Sequence, residues 1–357
     1  MGDYYKTIEE QGYYLIAEAG VNYYEIADQN RVSPLEGAKL MVHAAKEAGA
    51  DAIKFQTYKA GALVRKDSPG SWSREDIAVE TQYELFQMYD HFGDKEYREL
   101  AAYCHEEGIE FMSTPFDSES ADYLNEYMNI FKISSSDITN IPLMTQIAKK
   151  NKPIVMSVGA SNAEEIDAAV SLIRRYNDCR LTILHCVLEY STPYEHANMA
   201  KISALQERYP EAIIGYSDHT KPDPAMDVLK TAYILGAKVI EKHFTLDKTI
   251  KGKNDHFHSM DPKDLAKAKR GIEFLKLIYG SPELVCLKSE EHTRNSVRRS
   301  AVVKENIQKG EKLTWDKIIF IRPGDGLSPE ETESLIGRTA LNDIAVDSVL
   351  SEEMFSK

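Results

Sequence analysis

Short runs rich in β-branched and aromatic residues alternate along this chain with segments whose apolar residues recur every three or four positions. The runs occupy 14–19, 52–56, 110–113, 130–134, 153–157, 181–186, 212–216 and 238–243, and each predicts a strand. The segments between them predict amphipathic helices, two with clear start signals. Ser33-Pro34-Leu35-Glu36 supplies an N-cap, a proline at the first helical position and a capping-box glutamate. Ser161-Asn162-Ala163-Glu164 repeats that logic ahead of the next helical stretch. Eight strands alternating with helices fit an α/β (β/α)8 TIM barrel better than a doubly wound sheet, which usually has fewer strands and a glycine-rich first turn. Here the first turn is Glu18-Ala19-Gly20-Val21-Asn22, with no G-x-G-x-x-G pattern.

Two stretches break the rhythm. The connection 58–94 is long for a compact domain, and loops of that size usually carry function or short helices of their own. Its QYELFQMYDHF stretch reads as helical, so we expect an excursion over the strand C-termini, a lid, with a peripheral decoration as the alternative. Beyond residue 280 the chain turns polar and irregular, then reads as short strands around two glycine-centred turns, Lys309-Gly310-Glu311 and Pro323-Gly324-Asp325-Gly326. The expected organisation is a barrel over 1–283, a linker over 284–297 and a small, mostly β domain over 298–357.

Charge narrows the classes of partner. With 43 Lys and Arg against 57 Asp and Glu, the formal charge is −14, which argues against a general binder of nucleic acid or membrane surfaces. A small anionic substrate stays compatible, because local lysines and histidines set the potential inside a pocket. Cys104, Cys179, Cys186 and Cys286 form no C-x-x-C pair and read as reduced thiols. The N-terminus has neither a basic nor an apolar signal region, and no apolar run approaches the roughly 20 residues of a membrane helix. A soluble, cytoplasmic protein is expected.

Polar residues concentrate where the strands end: Glu18, Lys54 with Gln56, Ser113 with Thr114, Lys132 with Ser134 and Ser135, Ser157, His185, Ser217 with His219, and Glu241 with His243. Period-2 alternation puts Lys54 and Gln56 on one face, and likewise Glu241 and His243. Barrel active sites assemble at that face from several strand ends at once. Lys54 and Lys132 supply positive charge and Thr114, Ser135 and Ser217 supply hydroxyls, a mixture suited to a phosphate or carboxylate. His219 and His243 either share one divalent metal as imidazole ligands or form a structural pair bonded to carboxylates. Asp255 and His256 lie in the polar loop after the last strand, a place for a second substrate.

These residues sit in strings that resemble the N-acetylneuraminate (sialic acid) synthase family, which includes the legionaminic and pseudaminic acid synthases. The strings are IAEAGVN (16–22), DAIKFQTY (51–58), STPFD (113–117), FKISSSD (131–137), LHC…YSTPYE (184–195), IIGYSDHT (213–220), IEKHFTLDK (240–248), NDHFHSM (254–260) and IRPGDGL (321–327). They run in order over nearly the whole chain, and the C-terminal part resembles the small antifreeze-like (SAF) domain that follows the barrel in this family. The resemblance implies that Lys54, Thr114, Lys132, Ser135 and Ser217 hold phosphoenolpyruvate. It implies that His219 and His243 bind Mn²⁺ or Mg²⁺, and that Glu18, Gln56, Asp137, Tyr190 and Asp255 contact the sugar. Arg322 would reach the sugar site of the other subunit in a domain-swapped homodimer.

The implied reaction is a condensation with C–O cleavage. C3 of phosphoenolpyruvate attacks the aldehyde of an open-chain N-acetylated sugar, polarised by the bound metal, then water adds at C2 and phosphate leaves. Glu18 is the expected base, assisting ring opening or orienting water. Three departures bear on the sugar: Tyr23-Tyr24 follow Asn22 where a His is common, Leu188 replaces a common Asn that helps hold phosphoenolpyruvate, and Asp137 is one methylene shorter than the common Glu. They open the acceptor to a 6-deoxy diacetamido hexose or to a phosphorylated sugar as well as to N-acetylmannosamine. The alternatives are another phosphoenolpyruvate-dependent 3-deoxy-ulosonate synthase, against which the IRPGDGL-bearing tail argues, and a carbohydrate-binding barrel without activity.

Overall fold

A computed structural model describes residues 4–70, 79–251 and 254–357, which divide into two compact units, Met1–Tyr279 and Gly280–Lys357. In the first unit eight parallel strands follow the order β3-β2-β1-β8-β7-β6-β5-β4, with β3 and β4 lying against each other to complete the ring. They are β1 (Tyr14–Gly20), β2 (Ala52–Thr57), β3 (Glu110–Pro115), β4 (Phe131–Ile133), β5 (Ile154–Ser157), β6 (Thr182–Cys186), β7 (Ile213–Asp218) and β8 (Val239–His243). All eight expected strands are present. β1, β2, β3 and β7 run one or two residues further than the apolar pattern, into the polar ends, because the parallel ladder continues there.

Helices alternate with these strands as the periodicity requires. The helix Pro34–Ala48 starts where expected, with Ser33 Oγ accepting from the Glu36 amide at 3.2 Å. Ahead of Ala163–Arg174 the cap is Asn162, not Ser161, and Glu165 closes the capping box. One wide apolar cluster joins the outward faces of the strands to the helices. A second fills the lower barrel from Tyr14, Ile16, Ala52, Met112, Val155 and Leu184, and the helix Tyr4–Gln11 closes it with Tyr4 and Ile8. No helix among the described residues is long and apolar enough to cross a membrane.

Of the long connection after β2, residues 71–78 lie outside the described residues, so the expected lid falls partly on them. The flanking pieces are packed: Leu85, Tyr89 and Phe92 belong to the main core, and Lys59 Nζ donates to the carbonyls of Asp90 and Phe92. Tyr23 and Tyr24 explain part of this. Their rings stack at 4.5 Å, Phe92 lies 4.8 Å from Tyr23, and the Tyr24 hydroxyl accepts from the His91 amide at 3.1 Å. The departure at Tyr23 is therefore a packing change, since its ring is fully buried.

The second unit pairs β9 (Ser300–Val303) antiparallel with β10 (Ile318–Ile321) around Ala301, Val303, Ile307, Leu313, Leu335 and Ile344. Residues 284–297 contain the helix Glu291–Val297, where a linker was expected. The Gly324 amide donates to the Asn295 carbonyl at 2.7 Å, which ties this helix to the rest of the second unit.

Candidate active site

Strand alternation sorts the top of the barrel from the bottom. Along β1 the inward row is Tyr14, Ile16, Glu18; along β2 it is Ala52, Lys54, Gln56; along β8 it is Val239, Glu241, His243. The first members of each row pack in the lower apolar cluster, and the last members line a cleft at the strand C-termini. Glycine serves this geometry at two points. At Gly215 in β7 a Cβ would meet the Val239 carbonyl at 2.3 Å, so only glycine lets β8 approach there. Gly20 ends β1 at φ 53, beside the register shift that separates Glu18 from Gly20.

Four ionisable groups meet on the cleft floor. Lys54 forms an ion pair with Glu18 and lies 3.7 Å from Glu241 Oε1, while Lys132 approaches the same oxygen at 3.6 Å. Ser217 Oγ donates to it at 3.0 Å, Lys54 Nζ donates to Thr114 Oγ1 at 3.3 Å, and Gln56 Nε2 donates to Glu18 Oε1 at 3.1 Å. Burial pushes the Glu18 carboxyl above its ordinary range, against the pull of Lys54. Burial acts on Glu241 in the same sense, but Lys132, Lys54 and Ser217 outweigh it and hold that carboxyl low. Burial dominates at Lys132 and lowers its ammonium; at Lys54 the two carboxylates overcome burial and raise it. Two cations and two anions thus balance, with Lys132 the one an incoming anion would most help to stay charged.

Histidines occupy the neighbouring side. Burial lowers His219 to about 4, and burial with His258 and His219 nearby holds His243 well below its usual range, so both rings are neutral at pH 7. His219 Nδ1 lies 2.6 Å from the Val187 carbonyl, and the Tyr190 ring rests on the His219 ring at 4.2 Å. His243 Nδ1 is 3.5 Å from Asp255 Oδ2. Among the described residues, His243, Asp255 and His258 bring donor atoms within 4.8 Å of one another, a group able to hold a metal ion.

Most of the residues anticipated from sequence converge: Glu18, Lys54, Gln56, Thr114, Lys132, Ser135, Tyr190, Ser217, His219 and His243 line one cleft. Asp255 stands next to it through His243. Asp137 does not line it; its carboxylate accepts from Asn140 Nδ2 at 3.0 Å in the turn after β4. Arg322 is exposed on the second unit. Ser113 and His185, taken with the polar strand ends, point outward instead: Ser113 Oγ pairs with Thr57 Oγ1 at 2.6 Å, and His185 Nε2 lies 2.8 Å from the Ala197 carbonyl. Sequence reasoning gave Glu241 no role, although its parity with His243 placed it here. It also gave no role to Cys186, whose thiol is 3.2 Å from Ser135 Oγ, or to Ser157, noted only as a polar strand end, whose buried Oγ has no hydrogen-bond partner among the described residues. A larger cavity of ≈ 530 Å³ outside the barrel, lined by Val158, Ile166 and Leu205 with Lys201, Glu207 and Arg208 among its charged groups, shares no residue with the cleft at the strand C-termini.

Residues 41–283 match the NeuB family, and 298–356 match the SAF domain. The chain belongs to the NeuB family. Its relatives in that family include the N,N'-diacetyllegionaminic acid synthase of Legionella pneumophila subsp. pneumophila, 35% identical over 96% of this chain and 94% of that protein. The N-acetylneuraminate-9-phosphate synthase of Homo sapiens is 32% identical over 96% of this chain and 92% of its own length. Among solved structures, the N-acetylneuraminic acid (sialic acid) synthetase of Leptospira borgpetersenii serovar Hardjo-bovis, in complex with citrate, superposes with a TM-score of 0.66. It is 33% identical and covers 79% of this chain and 90% of its own. Leu188 stands on the cleft wall half-open to solvent, 38% exposed.

Proposed function

We propose that this chain condenses phosphoenolpyruvate with an N-acetylated aldehyde sugar, giving a nonulosonic acid and phosphate. The observation that carries this is the meeting of Lys54, Lys132 and the hydroxyls of Thr114, Ser135, Ser157 and Ser217 in one cleft beside a group of neutral histidines. Lys132 and the serines would hold the phosphate, and Lys54 with Thr114 the carboxylate. Glu18, its carboxyl raised by burial, would take the proton of the water that adds at C2, and the tetrahedral intermediate so formed would then lose phosphate as its C2–O bond breaks. Tyr190 and Gln56 border the open side, where the sugar would sit.

A divalent metal, held by His219 and His243 with help from the carboxylate next to them, would supply Lewis-acid polarisation of the sugar aldehyde. The donor chemistry fits: neutral imidazoles beside a carboxylate suit Mn²⁺ better than Mg²⁺, which prefers oxygen alone. Two copies of the chain would act together, with Arg322 of one completing the sugar site of the other. Sedimentation of the full chain at roughly twice the monomer mass would support that pairing. An activity that consumes phosphoenolpyruvate would work in the cytoplasm, where that substrate is made.

Phosphate release from phosphoenolpyruvate, measured over a panel of sugars, tests the reading. It should require a sugar, favour one among N-acetylmannosamine, its 6-phosphate and 6-deoxy diacetamido hexoses, and stop on adding a chelator. Sugar binding without phosphate release would mark an inactive carbohydrate-binding barrel. Turnover only with short unacetylated aldose phosphates would mark a 3-deoxy-ulosonate synthase of another kind.

A further inference from the structure

Several hydrogen bonds hold the turn Asp255–His258 that follows β8. His256, fully buried, lies between Thr245 Oγ1 and Glu25 Oε2, each 2.7 Å from one of its ring nitrogens. Asn22 Nδ2 donates to the Phe244 carbonyl at 3.0 Å while its Oδ1 accepts from the Asp255 amide at 3.2 Å. Ser259 Oγ donates to the Asp255 carbonyl at 2.6 Å. These bonds fix the short turn Asp255–His258, and that turn aims two side chains, Asp255 and His258, at His243 on the last strand.

We infer that His258 is a protein ligand of the metal, which His243, Asp255 and His258 would hold together, with His219 beside them as a further imidazole donor. Ring spacing supports a shared ion. Imidazole nitrogens about 2.1 Å from one ion place pairs of ring centroids roughly 4.5 to 6.5 Å apart, depending on the angle between them. The observed separations are 4.7 Å for His243 and His258, 5.4 Å for His219 and His243, and 6.4 Å for His219 and His258. His219 engages the Val187 carbonyl through Nδ1, so a lone pair remains on Nε2. His258 is fully buried and the Tyr190 ring covers both it and His219, which keeps water from competing on that side. Three imidazoles and one carboxylate would make a tighter site than two histidines alone.

This inference rests on the metal-dependent reading above, and its test separates the two. The full chain is stripped of metal and titrated with Mn²⁺ alone, bound ion being followed by its electron paramagnetic resonance signal. His258→Ala should weaken Mn²⁺ binding by about tenfold or more, as is usual when the shell around a metal is disrupted. His196→Ala, an exposed histidine away from the cleft, should leave binding unchanged. Pulsed resonance on wild-type protein with ¹⁵N-labelled histidine should count three nitrogens on the ion. That count needs no variant, so it decides the matter even where His258→Ala fails to fold. Two nitrogens, equal affinity in His258→Ala, or no Mn²⁺ binding by the wild type would each overturn the inference. Three nitrogens without sugar-dependent phosphate release would leave the metal site standing and remove the proposed reaction.

Discussion

Lys242 and Asp218 form an ion pair at 2.6 Å, and each side chain is only 1% exposed. The pair lies on the outward faces of β7 and β8, behind His219 and His243, and takes no direct part in the cleft. Lys242→Met removes the cation and leaves the carboxylate buried. Losing one partner of such a pair costs about 3–5 kcal/mol. Asp218 keeps three donors, the Tyr216 hydroxyl at 3.0 Å, the Thr220 amide at 2.9 Å and the Thr220 hydroxyl at 3.1 Å, so the lower end applies. A loss of about 3 kcal/mol in a unit of this size corresponds to a fall in Tm of roughly 5 °C. Urea unfolding followed by circular dichroism measures it directly, and Lys242→Met with Asp218→Asn should recover more than half of the loss, because no charge is then stranded. Lys242 also donates to the Thr220 carbonyl at 2.7 Å, so the turn that carries His219 should loosen and turnover should fall with stability. A loss below about 1 kcal/mol, the size of an exposed pair, would refute the reasoning, as would a double variant no more stable than the single one.

Other expectations follow from the same geometry. Lys132→Met should raise KM for phosphoenolpyruvate by roughly 10- to 100-fold, since a charged hydrogen bond to an anion is worth about 1.5–3 kcal/mol; an unchanged KM would take Lys132 out of the phosphate site. Glu18→Gln should lower kcat by about 100-fold or more, and near-normal turnover would end its role as base. At His185 burial lowers the pKa, so the unfolded chain binds the extra proton first and stability falls as pH drops below the unfolded value of about 6.5. The Tm difference between wild type and His185→Gln should therefore shrink from pH 7.5 to pH 5.5, and a difference flat with pH would contradict that sign.

Much of the barrel was legible because its signals are local. Alternation of β-branched runs with capped helices located every strand, and parity within a strand placed Lys54 with Gln56 and Glu241 with His243. Parity also could have excluded Ser113 and His185, which sit one residue out of phase with the inward rows. What local signals do not carry is pairing between distant residues. Glu241 became meaningful only once Lys54 and Lys132 were seen to share its oxygen. His258 lies in a turn without periodicity, and nothing in NDHFHSM separates it from His256, whose ring is spent on Thr245 and Glu25. The Tyr23 departure looked like a change at the substrate because it follows the first strand, whereas three-dimensional packing gives it to the aromatic anchor of the long connection.

The β1–β8 pairing puts Glu18 opposite His243, and the last-strand loop is pinned to Asn22 and Glu25 just beyond β1. A ribosome making this chain completes the first partner of that seam long before the second. No nascent fragment that stops short of the final strand can bring Lys54 together with Glu241, or bind the proposed metal and phosphoenolpyruvate. Closure over so large a sequence separation is entropically expensive and slow, and it comes last in synthesis. Activity should therefore appear all at once, when the end of the barrel meets its beginning, and a circularly permuted chain that makes β8 and β1 neighbours should assemble its site sooner.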